Sequence, residues 1–83
     1  MARQVPCRIA SIYIGGRVIS EGSDAGDVVH DARLDFPREG WDFRRVTATT
    51  ISVSAPSFAA MEEFLRDYLH VDPTGPMKNA VPE

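Results

Sequence analysis

The chain has 83 residues, a net charge of −3 and a hydrophobic content of 43%, values typical of one small globular domain rather than of a disordered chain. It has no run of about 18 apolar residues, so we expect no membrane-spanning segment. The single cysteine, Cys7, excludes an intramolecular disulfide, and the amino-terminal residues lack the apolar core of a signal peptide. Both features favour an intracellular, cytoplasmic protein.

Two strands are expected in the first twenty residues. Residues 5–14 are rich in β-branched and aromatic types, and Gly15-Gly16 separates them from a second short apolar run, residues 17–20. Because glycine adopts the positive φ of a tight turn, this pattern predicts a β-hairpin. No further glycine and no Lys-Ser/Thr pair follows at the spacing that a phosphate-binding loop requires.

A third strand is expected over residues 28–36, where apolar and charged side chains alternate. The even positions hold Val28, His30, Ala32, Leu34 and Phe36. Period-two alternation over nine residues predicts a strand with one buried and one exposed face. The preceding residues, 21–27, have the composition of a loop, and Pro37 ends the predicted strand.

The region from residue 43 to residue 70 combines the strongest strand and helix signals. Residues 43–55 predict the longest strand, with a β-bulge near Thr49-Thr50 because the apolar parity changes there. After Pro56, residues 57–70 contain no glycine, proline or β-branched residue, which favours an amphipathic helix. Ser54 or Ser57 is expected to cap this helix, and Pro73 to end it. Its apolar face comprises Met61, Phe64, Leu65, Tyr68 and Leu69.

The predicted order is therefore strand, strand, strand, strand, helix. Short connections favour antiparallel neighbours, so we expect an α+β two-layer sandwich: an antiparallel sheet of three to four strands with one C-terminal helix packed on one face. Residues 1–72 form the predicted domain. Residues 73–83, which contain three prolines and one glycine, are predicted to be a flexible tail. The second face of the sheet is exposed unless a partner or a second copy covers it.

Charge is segregated along the chain. Residues 21–42 carry seven acidic residues and two arginines, so this segment either faces a basic partner or only keeps the loops solvated. The chain lacks the clustered basic residues of a nucleic-acid-binding domain, so direct nucleic-acid binding is not expected. The aromatic and arginine residues that follow are of the types enriched at interface hot spots, although Trp41 and Phe43 could instead seal the core. The candidate partner-binding residues are Asp24, Asp27, Asp31, Asp35, Glu39, Trp41, Phe43, Arg44 and Arg45.

No catalytic site, metal site or cofactor is predicted. A metal site could only draw on the acids near His30, but their spacing does not match an EF-hand loop. On a strand, His30 and Asp31 would also point to opposite faces. Cys7 could pair with His30 or His70 for nucleophilic chemistry, but nothing in the sequence places them together. We therefore interpret Cys7 as a partly buried structural thiol.

The sequence predicts a non-enzymatic interaction module that covers or bridges the surface of a protein partner, and a basic surface is one candidate. By size and charge alone, one form of this role is a small acidic inhibitor of a nucleic-acid-binding complex, such as the anti-CRISPR proteins that phages encode against host defence. The alternative is a homodimeric small-ligand-binding or regulatory domain that pairs through sheet edges or faces.

Overall fold

A computed structural model describes residues 5–14, 24–36 and 39–83. These residues form one four-stranded sheet, in which each pair of neighbouring strands is antiparallel, with the order β2-β3-β1-β4. The α+β class and the four-stranded antiparallel sheet are thus confirmed. The elements in chain order are β1 (Cys7–Tyr13), α1 (Ala25–Asp35), β2 (Asp42–Arg45), β3 (Thr50–Ala55), α2 (Phe58–Glu63), a π-helical segment (Phe64–Tyr68), α3 (Thr74–Met77) and β4 (Val81–Pro82).

The region predicted as the third strand is the helix α1. Asp24 caps its amino terminus: the Asp24 carboxylate accepts a hydrogen bond from the Asp27 backbone N–H, and the Asp27 carboxylate accepts one from Asp24, each at 3.1 Å. This reciprocal capping satisfies backbone donors that a helix otherwise leaves unpaired. Leu34, which the strand pattern would bury, is 67% exposed. The buried side chains instead follow helical spacing, at Ala25, Val28, Val29 and Ala32.

The predicted long strand is two strands, β2 and β3, joined by a tight turn. The hydroxyl of Thr47 accepts hydrogen bonds from the backbone N–H groups of Thr49 at 3.2 Å and Thr50 at 3.1 Å. Val46 N–H donates to the Thr50 carbonyl at 3.0 Å and closes the hairpin. The change of parity interpreted as a bulge therefore marks a reversal of the chain. Threonine suits both a strand and a hydroxyl-bonded turn, so composition did not separate the two. An irregularity of register lies instead in β1, between Ile9 and Ile12.

The helix predicted over residues 57–70 is present as α2 and the π-helical segment. Its cap is Ser57, whose Oγ accepts a hydrogen bond from Ala60 N–H at 3.1 Å. The chain leaves the helix at His70, which has a positive φ of 57°. The predicted apolar face is confirmed, since Tyr68 is half-buried and the remaining members are at most 2% exposed: Met61, Phe64, Leu65 and Leu69.

The predicted C-terminal helix is not the only helix on the buried face of the sheet. The core is one cluster that joins side chains of β1, β2 and β3 to side chains of both α1 and α2. On this face Ile9, Val53 and Phe43 lie in register across the three strands. The expected single C-terminal helix is thus accompanied by α1, which packs mainly over β2.

The segment predicted as a tail contains α3 and β4. β4 pairs with β1, with Val81 opposite Arg8, and Glu83 N–H donates to the Pro6 carbonyl at 3.0 Å. The proline and glycine content of this segment did not predict the short strand β4, because neither residue favours extended pairing. The mobility of residues 73–83 and the domain boundary at residue 72 stay predictions.

Several predicted features fall on residues outside the described ranges. They are the Gly15-Gly16 turn, the second strand at residues 17–20, and the part of the next loop that precedes Asp24. The strand end at Pro37 and the start of the following turn at Arg38 also lie there. Within the described ranges, no helix is both long and apolar enough to cross a membrane.

The face of the sheet opposite the helices, here called the outer face, is largely exposed. Strand register arranges it in three rows. Small hydroxyl side chains fill its centre, and exposed apolar side chains lie near its ends: Tyr13, Val46 and Val81. The rows are Asp42-Ser54-Arg8-Val81, Arg44-Ser52 and Val46-Thr50-Tyr13.

Candidate functional site

The four predicted acidic residues of α1 lie along one side of the helix. Asp24, Asp27, Asp31 and Asp35 are separated by three, four and four residues, which are the steps of a helical stripe. Asp31 is half-buried and the other three are exposed. We call this stripe the acidic face. The strand interpretation would have spread these carboxylates along an extended segment, whereas the helix brings them together.

No described cation forms an ion pair with the acidic face. Within the described ranges the one ion pair is Arg44 Nε to Asp42 Oδ2, at 2.8 Å, and it involves none of the four acids. Carboxylates four residues apart on a helix repel each other by roughly 0.2–0.5 kcal/mol per pair. The acidic face therefore keeps its negative field available to a partner, at a small cost in helix stability.

Tyr68 fixes one end of the acidic face. Its hydroxyl donates a hydrogen bond to Asp35 Oδ2 at 2.8 Å. Burial raises the pKa of Tyr68, and the hydrogen bond to Asp35 and the nearby charges of Asp35 and Asp31 raise it further. The phenol therefore stays protonated and keeps donating, so the Asp35 carboxylate is held in place by the π-helical segment.

The predicted aromatic residues belong to one cluster beneath the helices. Trp41 stacks on Phe43 with ring centroids 5.6 Å apart, and its centroid lies 4.8 Å from that of Phe36. Phe64 and Tyr68 complete the cluster. Phe43 is 1% exposed, so its ring cannot reach a partner in this fold, and the core alternative describes it correctly. Trp41 is half-buried, so part of its side chain remains accessible.

Gly40 sets the position at which Trp41 enters the cluster. Its φ is 85°, in the left-handed region, and a Cβ added to it would lie 2.8 Å from the Pro56 Cβ. Only glycine satisfies both the conformation and the close approach. Glu39, just before it, is exposed in the turn and lies outside the acidic face.

The predicted arginines lie on β2, not on α1. Arg44 is on the outer face and pairs with Asp42. Arg45 is exposed, and its Cδ would be 3.7 Å from a Cβ added to Gly26, so its side chain runs beside the first turn of α1. The candidate arginines therefore lie on β2, whereas the four acids of the acidic face lie on or next to α1.

A residue that the sequence did not single out, Arg33, links these two elements. Its Nη2 donates to the Phe43 carbonyl at 2.8 Å. A small pocket of about 130 Å³ lies beside this bond, lined by Arg33, Phe36, Trp41, Asp42 and Phe43. Its volume is well below the roughly 300–1,000 Å³ of typical small-molecule sites. Arg33 could be recognised only once residues 25–35 were known to be helical.

Two candidate chemistries, a nucleophilic Cys7 and a metal site formed by the acids near His30, gain no support from the described residues. Cys7 is fully buried, and its thiol donates to the Ser57 carbonyl at 3.6 Å. Burial raises the pKa of the thiol, and the charge of Glu83 raises it further, so the thiolate is disfavoured. In the described part of the chain no three His, Cys, Asp or Glu side chains are grouped to hold a metal ion.

Comparison of this chain with family models, with curated proteins and with solved structures finds no match. Fold and site together define a small α+β domain with an acidic helix on one side and an arginine-bearing edge strand beside it.

Proposed function

We propose that this protein is a non-catalytic interaction module that binds a basic surface of a protein partner through the acidic face of α1. The observation that carries the proposal is the alignment of Asp24, Asp27, Asp31 and Asp35 on one side of the helix, where none of them forms an ion pair with a described residue. A field of one sign accelerates encounter with a surface of the opposite sign and selects against partners of like charge.

Basic surfaces that are common inside cells include those that bind nucleic acid. We therefore propose an inhibitory form of the role, in which the acidic face occludes such a surface and excludes nucleic acid from it. The site of action proposed with it is the cytoplasm. The 130 Å³ pocket is smaller than a typical small-molecule site.

The test is capture from a lysate of the source organism with the full chain immobilised. The Asp31→Asn/Asp35→Asn variant removes two charges from the acidic face, and Glu62→Gln/Glu63→Gln removes two exposed charges from α2 as the matched control. We expect the wild type and the control to capture the same protein and the Asp variant to lose it. Purified partner should then lose nucleic-acid binding in a gel-shift assay as the wild-type chain is added.

Equal capture by all three chains would show that the acidic face is not the binding surface. Capture of a partner that keeps its nucleic-acid binding would leave the interaction and remove the inhibitory role. Capture should also weaken above physiological salt, where the Debye length falls below about 8 Å.

A second candidate, a homodimeric small-ligand-binding or regulatory domain, draws support from the outer face. Tyr13 is 69% exposed, Val81 54% and Val46 51%, and a second copy could cover all three. The β4 edge suits pairing less well, because β4 has only two residues, one of them Pro82. Light scattering at two concentrations separates this candidate from a monomeric module, since the average mass of a reversible dimer rises with concentration and that of a monomer does not.

A further inference from the structure

β2 is an edge strand with outward-directed backbone groups. It pairs with β3 on one side, and no described strand pairs with its other side. Successive residues of an antiparallel strand direct their N–H and C=O groups alternately inward and outward. Because Val46 bonds inward to Thr50, Phe43 and Arg45 direct theirs outward. An edge of this kind can accept one more strand.

Arg33 occupies the position that such a strand would take beside Phe43. Its guanidinium donates to the outward carbonyl of Phe43, where an added strand would place a backbone N–H. Arg33 is exposed, whereas Phe43 is 1% exposed. Exchanging one donor for another at the same carbonyl changes the hydrogen-bond balance little. Arg33 therefore closes the edge reversibly.

The pocket lies beside the same carbonyl. The rings of Phe36 and Trp41 line it together with the polar groups of Arg33 and Asp42, and its volume of about 130 Å³ suits one side chain. In strand addition, backbone hydrogen bonds supply affinity and pockets for alternate side chains supply specificity. Edge and pocket together therefore form a complete site of this type.

Charge indicates which strand the edge accepts. Arg33 and Arg45 flank it, and neither forms an ion pair with a described residue, whereas Asp42 is already paired with Arg44. Guanidinium groups bind carboxylates through two parallel hydrogen bonds. We propose that the β2 edge binds an extended, acidic segment of a partner protein. Arg33 then moves from the Phe43 carbonyl to a carboxylate of that segment, and one side chain of the segment enters the pocket beside the rings of Phe36 and Trp41.

Titration of the full chain with blocked hexapeptides tests this proposal. One peptide alternates valine with glutamate, and a second alternates valine with lysine. Trp41 is the only tryptophan and lines the pocket, so its fluorescence reports occupancy. We expect saturable binding of the glutamate peptide only. Methylation of its alternate amides, which prevents strand pairing, should weaken binding by about tenfold.

Arg33→Ala opens the edge and removes the charge. It should bind a neutral valine–threonine peptide about two- to tenfold more tightly than the wild type does, because one hydrogen bond no longer has to be broken. It should also lose the preference for the glutamate peptide. Arg8→Ala removes the same charge from the outer face and should leave both affinities unchanged. If circular dichroism shows that Arg33→Ala is unfolded, Arg33→Gln, which keeps a donor without the charge, takes its place and should lose the glutamate preference.

Failure of the glutamate peptide to bind the wild type overturns the proposal. Equal binding of the glutamate and lysine peptides overturns its charge selectivity. Neither result bears on the acidic face, because that surface lies on another side of α1 and attracts partners of the opposite charge.

Discussion

α1 and α2 pack on the same face of the sheet but contribute to the core in different ways. α2 and its π-helical extension bury large side chains, with Met61, Phe64, Leu65 and Leu69 at most 2% exposed. α1 buries only alanines and valines, and it carries acids at four-residue spacing that repel one another. Apolar burial contributes roughly in proportion to the area removed from water, so α2 holds the larger share of stability.

This difference assigns the two helices different tasks. The apolar side of α2 is fully used in the core, and its exposed side carries acids together with Arg66. α1 depends more on its reciprocal cap and on its contact with β2, and it presents an acidic stripe that does not contribute to packing. Sequence changes should therefore affect stability most in α2 and partner binding most in α1.

The largest predicted effect is the loss of the Phe64 ring. Phe64→Ala should lower the free energy of unfolding by about 3–5 kcal/mol because it leaves a cavity within the aromatic cluster. Val28→Ala in α1 should cost only about 1–3 kcal/mol, and alanine's higher helix propensity offsets part of that loss. Urea unfolding followed by circular dichroism and Trp41 fluorescence measures both.

A domain of this length has a total stability of roughly 4–12 kcal/mol, so Phe64→Ala should be partly unfolded at 25 °C only if the wild type lies near the lower end of that range. Equal losses for the two variants would contradict the unequal division of stability between the helices.

The caps provide the second prediction. Asp24→Ala should lower stability by about 0.5–2 kcal/mol, because it removes the hydrogen bond that the Asp24 carboxylate accepts from Asp27 N–H and a negative charge from a helix amino terminus. Ser57→Ala removes one capping bond from α2 and should cost less, since burial holds that helix in place. Thermal and urea unfolding compare the two.

Asp24→Asn is the control, since asparagine caps a helix about as well as aspartate. It should remain close to the wild type. If it were as unstable as the alanine variant, charge rather than hydrogen bonding would be the source of the effect.

The same contrast explains which parts of the fold could be predicted from the sequence. α2 contains no β-branched or helix-breaking residue, so a single periodicity is visible. In α1, Val28 and Val29 favour strands, and residues 28–36 also fit a period of two. The helical signal was present in the Asp24/Asp27 cap and in the spacing of Ala25, Val28, Val29 and Ala32. It was weaker because the buried side chains are small.

The candidate site could be predicted only in part. The four acids were identified as a charged segment, but their alignment depends on helical geometry. Arg33 could not be found, since its role requires β2 to be an edge strand below α1. Threonine residues at positions 47, 49 and 50 suit both a strand and a turn, so the hairpin that creates this edge was not visible in composition.

The smallest predicted effect has the opposite sign. Asp31 has a carboxylate four residues away on each side, at Asp27 and Asp35, so Asp31→Asn should raise the free energy of unfolding by about 0.4–1 kcal/mol at low salt. Asparagine and aspartate have similar helix propensities, so the backbone contributes little to the difference. The gain should shrink at 1 M salt, where charges are screened beyond about 3 Å.

Glu62→Gln separates local repulsion from a change in net charge. It removes the same charge from the chain, but Glu62 lies four residues before Arg66, an arrangement that favours attraction. This variant should therefore be no more stable than the wild type, and a gain equal to that of Asp31→Asn would show that overall charge is the cause. If Asp31→Asn is more stable than the wild type but binds the partner less well, then the acidic face lowers stability and serves binding. This is the result that a binding surface on α1 predicts.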